Sequence, residues 1–286
     1  MGVDSAERIR YHIFDPTGNI TALVEGAVVV DRQPAVAAHI MRVHPEVEQV
    51  GFVREASGEP GDDGVQACLR MAGGEFCGNA TMSAAAWHLL QVEGGFAAEG
   101  AEQLVWMRVS GASRHVEVRL ARLEPDVFDA DVRMPQAFGV DEAELAWGQF
   151  SGVAPVVRME GISHVVVEPG SGLFGLLEVR ADAEQAVRTW CTELGADGLG
   201  LMFWEHGERL DVLTPLVYVP GGDTVFWENS CASGSSAVAM CAAHRCGEAV
   251  SLAFAEPGGT LRAESDPVCG ATWLKGTVRQ VGVYEL

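Results

Sequence analysis

Two cysteines stand out by the residues on their C-terminal side. Cys77 lies in Glu75–Trp87, EFCGNATMSAAAW, where Gly-Asn leads into small residues of good helix propensity, and Cys231 lies in Trp227–Met240, WENSCASGSSAVAM, which repeats the arrangement. Each thiol therefore falls at a predicted helix start. There the unpaired backbone N–H groups and the positive end of the helix dipole stabilise a thiolate and attract an anion such as a carboxylate. Two such thiols make a symmetric acid–base pair, suited to taking a proton from one face of a carbon and returning one to the other. The α-proton of an amino acid is a very weak acid. Its removal needs a nearby base and fixed dipoles aimed at the charge that spreads into the carboxylate, and two helix starts supply those dipoles. One thiol as base and one as acid have coupled titrations.

The elements that position these residues read as two similar passages. Arg10–Phe14 and Ile20–Val24 are predicted strands around the turn Asp15-Pro16-Thr17-Gly18-Asn19, which puts Asn19 at a loop tip. Pro34–Val43 has helical spacing and stops at Pro45. Gln49–Val53 and Val65–Met71 are paired strands that deliver the chain to Cys77, and Ala80–Val92 is the helix beyond it. Leu104–Val109 and His115–Leu120 form a hairpin, followed by strand Val127–Met134. The second passage runs through strands Val153–Met159 and His164–Glu168, helix Ala181–Leu194, and strands Gly200–Trp204 and Leu210–Tyr218 to Cys231. His164 reads as a strand residue with a structural hydrogen bond rather than a substrate contact. Helix Ala237–Cys246 and the hairpin around Glu256-Pro257-Gly258-Gly259 complete the passage. The expectation is an α+β fold of two pseudo-symmetric halves with a substrate cleft between them.

Bulk properties narrow the function. The 286 residues are 48% hydrophobic, enough for a substantial core. The longest apolar runs fall far short of the roughly 20 residues that span a bilayer, and Met1–Arg10 carries mixed charge without the apolar stretch of a signal peptide. A formal charge of −21 repels phosphate backbones and anionic membranes, so neither nucleic acid nor a membrane is an expected partner. Seven scattered cysteines do not resemble a disulfide framework and point to a reducing cytoplasm. Neither they nor the histidines have metal-site spacing, and no metal is expected. Lys275, the only lysine, sits in a predicted strand without a phosphate-cradling loop, which disfavours pyridoxal chemistry. No cofactor is expected.

The cysteine segments resemble those of the diaminopimelate epimerase superfamily of cofactor-independent racemases, and within it the histidine racemases of staphylopine metallophore biosynthesis. The likeness is carried by GNIT at Gly18–Thr21, EQVGF at Glu48–Phe52, EFCGNATMS at Glu75–Ser83 and VSG at Val109–Gly111. It continues in MPQA at Met134–Ala137, PLVYVP at Pro215–Pro220, WENSC at Trp227–Cys231 and PGG at Pro257–Gly259. The resemblance implies a curved sheet around a central helix in each half, residues 1–124 forming one and 125–279 the other, with the strand 280–286 returning to the first. It implies Cys77 and Cys231 as the acid and base thiols, and the amides of Gly78, Asn79, Ala232 and Ser233 as holders of the substrate carboxylate. Asn19, Glu48 and Glu228 match residues that face or orient the substrate. The family also implies a homodimer. Where the diaminopimelate enzymes carry a Glu-Arg pair before the second cysteine, this chain has Glu228-Asn229, so a second carboxylate on the substrate is disfavoured. Histidine is the leading expectation. Lysine, ornithine and arginine remain open, as do another isomerisation or a non-catalytic amino-acid binder on the same fold.

Overall fold

The computed structural model describes residues 8–92 and 100–286. The first seven residues, on which the reading of the N-terminus largely rests, lie outside the described residues. Among the described residues, four α-helices are set against one continuous sheet of sixteen strands, and the pairing runs through a succession that occurs twice. In the first passage β1 (Arg10–Pro16) pairs antiparallel with β2 (Thr21–Glu25), which lies parallel to β3 (Gln49–Glu55) across helix α1 (Gln33–Val43). β4 (Ala67–Met71) is antiparallel to β3 and parallel to β5 (Glu102–Val109), with helix α2 (Gly78–Gln91) as the crossover. β6 (Val116–Glu124) and β7 (Val127–Met134) continue antiparallel. Each parallel pair requires such a crossover, which is why a helix falls at these two places.

The second passage repeats the order. β9 (Phe150–Met159) is antiparallel to β10 (Ile162–Val167), and β10 is parallel to β11 (Leu199–Glu205) across α3 (Arg180–Glu193). β12 (Asp211–Val219) is antiparallel to β11 and parallel to β14 (Val250–Glu256) across α4 (Ala232–Cys246). β15 (Gly259–Asp266) and β16 (Ala271–Glu285) come next, antiparallel. The long β16 joins the passages: it pairs with β15 and β7, and its last residues pair with β1 from Arg10↔Glu285 onward.

Helix composition is set by position. Every residue of α2 from Gly78 to Leu89 is buried, and a helix enclosed on all sides by a curved sheet has room mainly for Gly, Ala, Ser and Thr. Met82 and Trp87 fill the wider gaps, each contributing roughly 1.5–3 kcal/mol on burial. α4 is buried in the same way over most of Ala232 to Ala243, with Arg245 and His244 at its C-terminal turn, where positive charge suits the dipole. α1 and α3 instead cover outer faces of the sheet, each with its own apolar cluster.

Two strands go beyond the sequence reading. β8 (Gly139–Trp147) pairs with β9 alone among the described strands, and its acidic Asp141, Glu142 and Glu144 are exposed. An edge strand with one fully buried apolar residue, Leu145, carries little hydrophobic pattern. β13 (Thr224–Trp227) is a short partner of β12. Helix α4 also starts five residues before the predicted Ala237, because Ser and Gly in its first turn disguise it.

Candidate active site

Cys77 is the N-cap of α2, with extended backbone at φ −135° and ψ 115°. Its sulfur accepts the N–H of Ala80 at 3.4 Å, and its carbonyl accepts the N–H of Thr81 at 2.9 Å. Cys231 caps α4 in the same manner, its sulfur accepting from Gly234 N–H at 3.3 Å and its carbonyl from Ser235 N–H at 2.9 Å. Helical geometry leaves the first amides of each helix without an intrahelical acceptor. Those are the N–H groups of Gly78 and Asn79 on one side and of Ala232 and Ser233 on the other.

The two helix starts meet. A Cβ built on Gly78 would lie 2.8 Å from the Ala232 Cβ and 3.1 Å from the Met134 sulfur, so glycine is what permits the approach. Asn79 reaches across and donates from Nδ2 to the carbonyl and hydroxyl of Ser230, each at 3.2 Å. Together these segments enclose a cavity of about 110 Å³. Both thiols line it, as do Asn19, Gly78, Asn79, Glu228, Ala232 and Ser233. Glu48 stands one hydrogen bond behind the wall. Its Oε2 accepts from Asn19 Nδ2 at 2.8 Å, and its Oε1 accepts from Asn229 Nδ2.

A chain of hydrogen bonds ties the first thiol to this carboxylate. Cys77 donates to Gln49 Oε1 at 3.0 Å, Gln49 donates to Asn19 Oδ1 and to Thr21 Oγ1 at 2.9 Å, and Asn19 donates to Glu48. Burial pushes the Cys77 thiol up to about 12, with Glu228 and Glu75 adding to the rise and the Ala80 amide opposing it. Cys231 is also held well above the usual thiol range, first by burial and then by the charge of Glu228. Glu228 itself titrates at about 7, raised by burial and by Glu48 against the opposing hydrogen bond from Cys231. The cavity wall carries Glu75, Glu160 and Glu228 and has no Lys, Arg or His among its described residues.

The family model described as the histidine racemase CntK N-terminal domain matches residues 8–282. The chain belongs to that family. Histidine racemase from Staphylococcus aureus is 29% identical over 259 residues, covering 88% of this chain and 87% of its own length. Histidine racemase from Fusobacterium nucleatum is 28% identical over 226 residues, covering 78% and 77%. Among solved structures, a hydroxyproline epimerase from Agrobacterium vitis with bound trans-4-hydroxy-L-proline has a TM-score of 0.67 at 13% identity, covering 99% of this chain and 94% of that one. This CntK-family chain is an amino-acid racemase or epimerase of mixed α+β fold. No described helix is long and apolar enough to cross a membrane.

Two residues of this racemase's site have no role marked in the sequence: Gln49, in a strand and in the EQVGF segment, holds Cys77, and Glu256, part of a turn, lies beside Cys231. Neither has a local signal, since each reaches its cysteine from a distant strand. The helix starts lead one to expect thiolates. Burial and the surrounding carboxylates instead raise both thiols, against the opposing Ala80 amide at Cys77. The structural hydrogen bond expected of His164 is absent. The residue is fully buried in β10 opposite Gly200, and neither ring nitrogen has a partner.

Proposed function

We propose that this chain racemises a free amino acid without a cofactor, Cys77 and Cys231 acting from opposite faces of the α-carbon, with L-histidine to D-histidine as the leading reaction. The observation that carries the reading is the convergence of two cysteine-capped helix starts on one small cavity, each with two amides left to bind an anion. The α-carboxylate sits across those four amides, where charge growing on it in the transition state is stabilised by dipoles already in place. One thiol takes the α-proton and the other delivers a proton to the opposite face, their roles exchanging in the reverse direction.

The raised thiols fit this scheme. An amino acid brings an ammonium group into a pocket ringed by carboxylates, and its charge offsets that of Glu228, which favours the thiolate. The acidic wall suits a side chain that donates hydrogen bonds or carries positive charge, and among the described residues it has no cationic side chain to pair with a second carboxylate. An imidazole meets that description, and the relatives are histidine racemases. Lys275 is ion-paired with Asp129 at 2.7 Å on β16 and is not part of the cavity wall, which supports a reading without pyridoxal phosphate.

The two passages of strands and helices support the same picture. Each presents one thiol from its enclosed helix; the proposed halves are residues 1–124 with the returning end of β16, and residues 125–279, which places β7, the last strand of the first passage, in the second half. The test is chiral chromatography of L-histidine incubated with wild type, Cys77→Ser and Cys231→Ser. D-Histidine should form with wild type and be lost in both variants. Turnover by both variants at the wild-type rate would overturn the two-thiol scheme.

A further inference from the structure

We infer that Glu256 is a positioning residue for Cys231, a carboxylate that fixes the second thiol from beneath. The inference rests on Cys231 being one of the two acting thiols, but its first readout does not require turnover. Glu256 is the last residue of β14 and is 7% exposed. Its Oε2 accepts the backbone N–H of Cys231 at 2.7 Å, and its Oε1 accepts the hydroxyl of Ser235 one turn into α4. One carboxylate therefore joins the N-cap of α4 to its first turn and sets where the helix begins.

The hairpin that carries Glu256 is itself gripped. Gly258 N–H donates to the carbonyl of Asn229 at 2.7 Å, so the same turn holds residues on both sides of Ser230. A Cβ on Gly18 would lie 2.4 Å from the Gly258 Cα, and a Cβ on Gly258 would lie 2.7 Å from the Gly18 Cα. The GNIT and PGG segments thus pack backbone on backbone, and only glycine fits. This arrangement gives the loop before Cys231 a rigid floor.

The first thiol is held differently. Ser110 donates to the Glu75 carbonyl at 2.8 Å, the counterpart of Gly258 donating to Asn229. Among the described residues, however, no carboxylate takes the Cys77 amide, and that thiol is engaged by neutral Gln49. The Cys231 amide rests on a carboxylate and the Cys77 thiol on a neutral amide, which makes the two thiols inequivalent.

The experiment uses Glu256→Gln, which keeps an acceptor and removes the charge, and Glu256→Leu, which removes both. Iodoacetamide labelling of the substrate-free full chain, resolved by peptide mass spectrometry, is followed at Cys231, Cys77 and the buried α4 residue Cys241 at one alkaline pH. In Glu256→Gln, Cys231 should label about tenfold faster, because removing the carboxylate charge raises its thiolate fraction, while Cys77 and Cys241 keep wild-type rates. With histidine as substrate, Glu256→Leu should lower kcat about a hundredfold, the cost of a misplaced reacting group, with KM within threefold of wild type. A Cys231 rate within twofold of wild type in Glu256→Gln would overturn the inference. So would Cys241 labelling as fast as Cys231, which would make Glu256 a mere brace for the helix. Absence of histidine turnover in wild type alongside the Cys231-specific labelling change would count against the proposed reaction and leave the positioning role standing.

Discussion

His164 offers a quantitative test of the interior around β10. Its imidazole is fully buried between β9 and β11, and a Cβ on Gly200 would lie 2.3 Å from its Nδ1, so the sheet makes room for the ring by leaving out a side chain. Neither nitrogen is hydrogen-bonded, and burial lowers its pKa from 6.5 to about 3. In the unfolded chain the ring takes up a proton below about pH 6.5, whereas the native ring stays neutral until about pH 3. The unfolded state thus binds more protons across that window, and stability falls as the pH falls. Each pH unit costs about 1.4 kcal/mol, so this residue should remove ~2 kcal/mol by about pH 5 and approach ~5 kcal/mol near pH 3. Buried carboxylates such as Glu256, raised to about 8, change stability in the opposite sense over part of this range. The difference between wild type and His164→Leu isolates the histidine. Urea unfolding at about pH 7 and about pH 5 should show the variant gaining ~2 kcal/mol on wild type between the two. At about pH 7 the variant should be no less stable than wild type, because an unpaired buried polar group costs ~1–3 kcal/mol. A difference that stays constant with pH would mean that the native ring takes up its proton normally, and the account of this pocket would be wrong.

Gly78→Ala places a methyl group 2.8 Å from the Ala232 Cβ and should cost about 1–3 kcal/mol of stability while prising the helix starts apart; thermal unfolding and kcat measure it, and wild-type values for both would show that the approach tolerates a methyl. Glu228 ionises at about 7, so kcat/KM for an ammonium-bearing substrate should rise as the pH passes upward through that value, and Glu228→Gln should lose this limb. An unchanged profile in the variant would remove Glu228 from the binding of the amine. Gln49→Leu cuts the link between Cys77 and Asn19 and should lower kcat by about tenfold or more with little loss of stability, read from steady-state kinetics beside a urea titration. Unaltered kcat would make that link incidental.

The legible part of this sequence is the part encoded locally. A cysteine followed by Gly-Asn or Ala-Ser and a run of small residues signals both a helix start and a helix confined within a sheet, and α2 and α4 are both. Strands such as β6, with its alternating burial, and β10, buried on both faces, carry their pattern in the chain itself. The illegible part depends on partners far along the chain. Glu256 acquires its role only when β14 comes to lie beneath Cys231, and Gln49 only when β3 passes Cys77. The charge state of the thiols is hidden for a related reason: the helix dipole is local, but the burial and the carboxylates that raise both thiols are properties of the assembled cavity. β8 is obscure because an edge strand facing water has few apolar residues to mark it.

The two-thiol mechanism requires that the α-proton of an amino acid exchange with solvent. Proton NMR of the protein in D2O, without added cofactor, tests it directly with L-histidine, lysine, arginine, ornithine and diaminopimelate supplied singly. The α-proton signal of histidine should be lost as the D-form accumulates, and Cys77→Ser and Cys231→Ser should each abolish the loss. Retention of the α-proton on every one of these amino acids by reduced wild-type protein would contradict the two-thiol mechanism.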